Sequence, residues 1–148
     1  MTSRENDPPS QELLLDTHVL LWLMFGDPML GPSARGAIAH VSTERRLLVS
    51  AITPWEIGML ASKKRINLLR DPLEWIRSAL SLPGVTLVPL LPEIAVGCNH
   101  LPFEMHPDPA DRILVATARH LGATLVTADR ALLEIARQGN FAVMDAAL

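Results

Sequence analysis

The chain has 148 residues, 49% of them hydrophobic, which is enough to bury one substantial core and too few to build two ordinary domains. Its formal net charge of -3 supplies no global basic field, so a nucleic-acid partner has to be met by a local basic patch or through bound cations. Aromatic residues make up only 4%, with no Tyr, which argues against a stacked-ring platform for single strands. The lone cysteine, Cys98, excludes an intrachain disulfide and a cysteine-based zinc cluster, and fits a reducing compartment.

Residues 1–11 are polar and proline-bearing, and are expected to form a disordered leader ahead of one domain over residues 12–148. The most apolar stretch, Leu13 to Phe25, is broken by Asp16 and His18 and falls short of the roughly 20 residues that span a bilayer. The expectation is a cytoplasmic protein without a membrane segment.

Glu12 to Asp16 reads as a short buried strand feeding a helix that ends before Gly26 and Pro28. A second helix is predicted over Ser33 to Val41, and a second strand over Arg46 to Ser50. Helical spacing resumes at Thr53, with Pro54 suited to a first turn, and again from Pro72. Val85 to Leu90 is the third predicted strand, and Pro92 opens a short helix carrying Cys98 on its apolar face. Residues 99 to 109 form a loop rich in His and Pro. Asp108 and Pro109 then have the form of an N-cap and first turn, and Gly122 ends that helix. Thr124 to Thr127 is a fourth strand, followed by a helix over Arg130 to Arg137 and a last strand at Phe141 to Met144.

Short apolar strands alternating with helices predict a three-layer α/β/α sandwich around a mostly parallel sheet of about five strands. Ligands of such sheets bind outside the carboxyl ends of the strands. Asp16 ends the first strand and Asp129 follows the fourth by two residues, so one crevice should receive both carboxylates. Asp111 and Glu56 lie near helix starts that can face the same edge. Two carboxylates about 4 Å apart repel by about 4 kcal/mol at an effective dielectric near 20, so converging acids need a neutralising partner. Oxygen-only ligands suit a hard cation such as Mg2+ or Mn2+, which also bridges an acidic site to an anionic substrate.

The segments LLLDTHVLLWL, VSAITPWEIGML and DPADRILVATARHLGATLVTADRAL together resemble the PIN-domain family, in its branch of VapC-like toxins from bacterial type II toxin–antitoxin pairs. The resemblance runs from about Leu13 to the end and is strongest from Asp111 to Asp129. It implies a metal-dependent endoribonuclease of RNA, a homodimer, and a cognate antitoxin that blocks the site. By motif position Asp16, Glu56, Asp111 and Asp129 take the metal-site roles, with Thr127 as a supporting hydroxyl. Three positions depart from the pattern of the wider family: His18 where Asn is often found, although the branch resembled here commonly has His, Ala110 where Phe is frequent, and Pro54 before Trp55 and Glu56.

Plainer roles stand beside these. Asp16 and Asp129 also suit turns or caps, and Asp108 suits a cap better than a ligand. Arg112, able to meet RNA phosphate or an antitoxin carboxylate, is placed for a local helix pair with Asp108 four residues earlier. Lys63, Lys64 and Arg65 read as a solvated helix end or an RNA-facing patch. Trp22, Trp55 and Trp75 read as packing or dimer contacts, and Cys98 as core. His100, His106 and Asp108 lack the spacing of a zinc site. Two other functions remain: an RNA-binding scaffold with a damaged metal site, and a magnesium phosphotransferase. The second lacks both a paired aspartate two residues beyond Asp16 and a Gly-rich phosphate loop.

Overall fold

The computed structural model describes residues 11–148, so the expected leader lies outside the described residues apart from Gln11. Among the described residues, five strands form one sheet: β1 (Leu13–Leu15), β2 (Leu47–Ser50), β3 (Val85–Val88), β4 (Thr124–Thr127) and β5 (Val143–Asp145). Their order is β3-β2-β1-β4-β5, and every pairing is parallel. Among the described residues, seven helices connect or flank them: α1 (Thr17–Phe25), α2 (Pro32–Thr43), α3 (Ile52–Ser62), α4 (Pro72–Leu80), α5 (Pro92–Gly97), α6 (Pro109–Leu121) and α7 (Arg130–Arg137).

Alternation along β1 divides the core. Leu13 and Leu15 face one way and pack with Val19 and Leu20 of α1, Ile38 of α2, and Trp75 and Ile76 of α4. Leu14 faces the other way and packs with Leu114 and Val115 of α6 and Leu132 of α7. Both faces being covered, β1, β2 and β4 are buried along their whole length, which is why they read as unbroken apolar runs. The three-layer sandwich expected from the sequence is the fold found.

The last paired residues between the two central strands are Leu15 and Val126. Beyond them the chain diverges, α1 leaving β1 for one face and α7 leaving β4 for the other. This is the switch point at which open α/β sheets hold ligands. Gln11 and Glu12 tie the entrance of β1 to Thr124 at the opposite end of the sheet.

Candidate active site

Asp16 immediately follows β1 and is only 4% exposed. One carboxylate oxygen accepts the Thr17 amide at 2.7 Å, and the other accepts the Thr127 hydroxyl at 2.8 Å. It therefore serves as the N-cap of α1 while lying at the switch point. Asp129 is built likewise: it caps α7 through the Leu132 amide at 3.1 Å, and its own amide donates to Thr127 Oγ1 at 3.0 Å. The cap role is thus found at both strand ends, and it leaves each carboxylate at the switch point, so it does not exclude the site role weighed in the sequence.

Asp108 caps α6 by accepting the Asp111 amide at 3.0 Å, as Pro109 beside it foretold. Asp111, in the first turn, meets His106 Nε2 at 2.7 Å. Glu56 lies in the second turn of α3, whose start is tied to β2 by the Ser50 hydroxyl accepting the Ile52 amide. Pro54 sits within the first turn, where its missing amide costs no helical bond. Thr17 and Thr53 hydroxyls meet at 3.3 Å, joining the starts of α1 and α3.

The electrostatics show that the acids share one field. Burial, first, pushes the Asp16 carboxyl above its usual range and Asp129 adds to the rise, against His18, Thr127 and the Thr17 amide. Burial raises Glu56 too, with the Thr17 hydrogen bond opposing and Asp16 and Asp108 adding. Asp111 is raised to about 6, again chiefly by burial; the His106 bond opposes, and Asp16, Asp108 and Asp129 add to the rise. Negative charge is partly offset because Asp16, Asp111 and Asp129 all lie at the positive ends of helices. What remains favours uptake of protons or cations.

Among the described residues, no three His, Cys, Asp or Glu side chains are gathered into a finished coordination sphere. The acid oxygens turn instead to amides, hydroxyls and an imidazole. The donor set fits a hard cation: the four predicted acids offer only oxygen ligands, and burial disfavours their ionised forms unless positive charge is supplied.

Arg112 departs from expectation. Rather than pairing with Asp108, its guanidinium donates to three carbonyls, those of Cys98 (3.2 Å), Met105 (2.9 Å) and His106 (3.1 Å). A planar fork with five donors suits such divergent acceptors, and it clasps the His- and Pro-rich loop onto α6. The loop in turn delivers His106 to Asp111. Sequence reasoning weighed His106 only as a zinc ligand and passed over its contact with Asp111, because a loop's return path leaves no periodic signal. Lys63, Lys64 and Arg65 follow the far end of α3, and Lys63, Lys64 and Arg65 are all exposed. Trp75 is buried, Trp22 half-buried, and Trp55, beside Glu56, is 59% exposed; Cys98 is buried against Ile94 and Ala116.

Comparison with known proteins gives the family. The PIN domain family matches residues 13–138. Ribonuclease VapC22 of Mycobacterium tuberculosis is 37% identical over 120 residues, covering 81% of this chain and 88% of that protein. The structure of VapBC2 from Rickettsia felis bound to a DNA fragment from their promoter is similar, with a TM-score of 0.65 at 14% identity over 89% of this chain and 96% of that one. DNA-bound VapBC from Salmonella typhimurium gives a TM-score of 0.63 at 18% identity over 91% and 98%. These two likenesses concern the fold. With the family matched along most of its length and a relative of this identity alongside, the chain belongs to the PIN domain family.

Proposed function

We propose that the chain is a divalent-metal-dependent endoribonuclease that hydrolyses RNA phosphodiester bonds as the toxin of a toxin–antitoxin pair. The observation that carries this reading is the shared field of Asp16, Glu56, Asp111 and Asp129 at the β1/β4 switch point, in a chain similar to a ribonuclease. Residues 12–148 act as one nuclease unit in the cytoplasm.

Asp16, Asp111, Asp129 and Glu56 would hold Mg2+ or Mn2+, with Thr127 orienting Asp16. When bound, such a cation neutralises the acids, polarises the phosphate and acidifies water at neutral pH. The chain's own contribution is placement. Thr127 fixes one oxygen of Asp16 and the amide of Asp129, and the Thr17–Thr53 hydroxyl contact joins the start of α1 to the helix that carries Glu56. No serine, cysteine or lysine nucleophile is needed.

Among the described residues no helix is long and apolar enough to cross a membrane. Phe25, Met29, Trp55, Leu69 and Leu73 nonetheless stand exposed. Where such groups adjoin, they form apolar surface suited to protein contacts. We assign them to the cognate antitoxin and to a second copy of the chain in a homodimer. The direct test is cleavage of a single-stranded RNA by the purified protein with Mg2+, with excess EDTA, and with Mg2+ restored. Restored cleavage supports the reading; undiminished cleavage in EDTA excludes the metal, and none under any condition favours the scaffold alternative.

A further inference from the structure

The last paired residues of β1 and β4 are Leu15 and Val126, and the Asp16 amide still donates to the Val126 carbonyl at 3.0 Å. Past that backbone bond, side chains tie the corner leaving β4 to the corner leaving β1. One tie is the Thr127 hydroxyl, which receives the Asp129 amide and donates to Asp16. The other is made by His18. The backbone amide of Ala128 donates to His18 Nε2 at 3.0 Å, so two consecutive amides of the β4–α7 corner are anchored to the surroundings of Asp16.

That contact fixes the chemistry of the ring. A backbone N–H can only donate, so Nε2 must present its lone pair, and the proton of the neutral imidazole resides on Nδ1. Nδ1 faces Asp16 Oδ2 at 3.6 Å, a distance suited to electrostatic attraction rather than to a full hydrogen bond. Trp22, one turn along α1, meets the ring edge-on with centroids 4.9 Å apart at 64°, which limits its rotation. The ring is therefore held in place on one edge and presents an acceptor on the other.

We infer that His18 is a positioning residue, which in its Nδ1–H form uses the Nε2 lone pair to hold the Ala128 amide and so sets the spacing of Asp16 and Asp129. Its consequence for catalysis rests on the nuclease reading above; its tautomer and its bond to Ala128 do not. Asn at this position would lack the reach, since its side chain imitates the Nδ1 edge. Gln places a carbonyl oxygen where Nε2 stands, and so keeps an acceptor for the amide.

The test compares His18→Gln and His18→Asn in the full chain. Nitrogen-15 spectra of the unsubstituted protein should show the ring protonated at Nδ1 and bare at Nε2. The Ala128 amide resonance should move strongly in the Asn variant and little in the Gln variant. Calorimetric titration with Mg2+ should show affinity lowered by about 10-fold or more in the Asn variant, as loss of a supporting contact behind metal ligands does, and within about 3-fold of the original in the Gln variant. RNA cleavage should lose kcat with KM held in the Asn variant. A ring protonated at Nε2 overturns the proposal even if the Asn variant does not fold, and so does equal loss of affinity in both variants. If the unsubstituted protein neither binds Mg2+ nor cleaves RNA, the nuclease reading fails, while the ring and amide spectra still decide the role of His18.

Discussion

Thr127 Oγ1 donates to Asp16 Oδ2 at 2.8 Å, joining residues 111 positions apart in sequence, and it accepts the Asp129 amide in the same stroke. The hydroxyl is fully buried, so no water can replace it if removed. Thr127→Val keeps the shape but leaves a buried carboxylate oxygen and an amide without a partner. An unsatisfied buried group costs about 1–3 kcal/mol. Chemical denaturation should show a loss of that order, and cleavage should fall with it. Thr127→Ser should restore most of both; a Val variant as stable and active as the original would remove Thr127 from the site.

Asp16→Asn preserves shape and capping while neutralising one member of a mutually repelling set. Without metal, its melting temperature should hold or rise, since burial disfavours the ionised carboxyl it replaces. Mg2+ binding and RNA cleavage should fall by orders of magnitude. Full cleavage by this variant would defeat the carboxylate site altogether.

Asp108 and Asp111 can be separated in the same way. Asp108→Asn should leave cleavage and stability nearly unchanged, because Asn caps a helix about as well as Asp, whereas Asp108→Ala should cost about 0.5–2 kcal/mol. Asp111→Asn should abolish cleavage. The reverse result, activity lost at Asp108 and kept at Asp111, would reassign the third ligand.

The raised carboxyls set a pH dependence with a definite sign. Asp111 ionises near its ordinary value of 3.8 in the unfolded chain and near 6 in the folded one, so between them the folded state binds more protons. Stability without metal therefore declines as pH rises through that window, and Asp16 and Glu56 act in the same direction. Each pKa unit corresponds to about 1.4 kcal/mol, which puts the effect of Asp111 on the order of 1–3 kcal/mol. Urea midpoints in EDTA should fall from pH 4 to about pH 6, and excess Mg2+ should oppose the fall at the upper end. A midpoint that climbs across this range in EDTA would contradict it.

Arg112 offers a test of the loop it clasps. Arg112→Lys retains the charge but cannot reach three divergent carbonyls, so it should behave more like Arg112→Ala than like the original. Both should shift the Met105 and His106 amide resonances and loosen the contact of His106 with Asp111. Unshifted resonances in the Lys variant would show that charge, not the fork, holds the loop.

The sheet was legible because β1, β2 and β4 are buried on both faces, so their apolar runs stand out from the helical spacing around them. Asp16 and Asp129 could be placed from strand ends alone. Asp108 was legible as a cap through its neighbour Pro109. Glu56 was nominated by family resemblance only, since a helix acid carries no local mark of its surroundings. Arg112 was misread for a related reason: four-residue spacing suggested Asp108, and the competing carbonyls come from a loop whose path no local rule predicts. His106 escaped notice on the same account, and His18 read as a departure from pattern rather than as a partner for Ala128.

At Asp16 and Asp129 the carboxylate proposed to hold the cation is also the cap of the helix it begins. Aspartate and asparagine codons differ by a single base, and asparagine caps as well as aspartate. On the nuclease reading, a one-base transition at either codon should therefore silence the site and leave the fold intact. If the proposed activity harms the cell that makes it, alleles that survive selection should be drawn disproportionately from these two codons, and should encode full-length, folded protein.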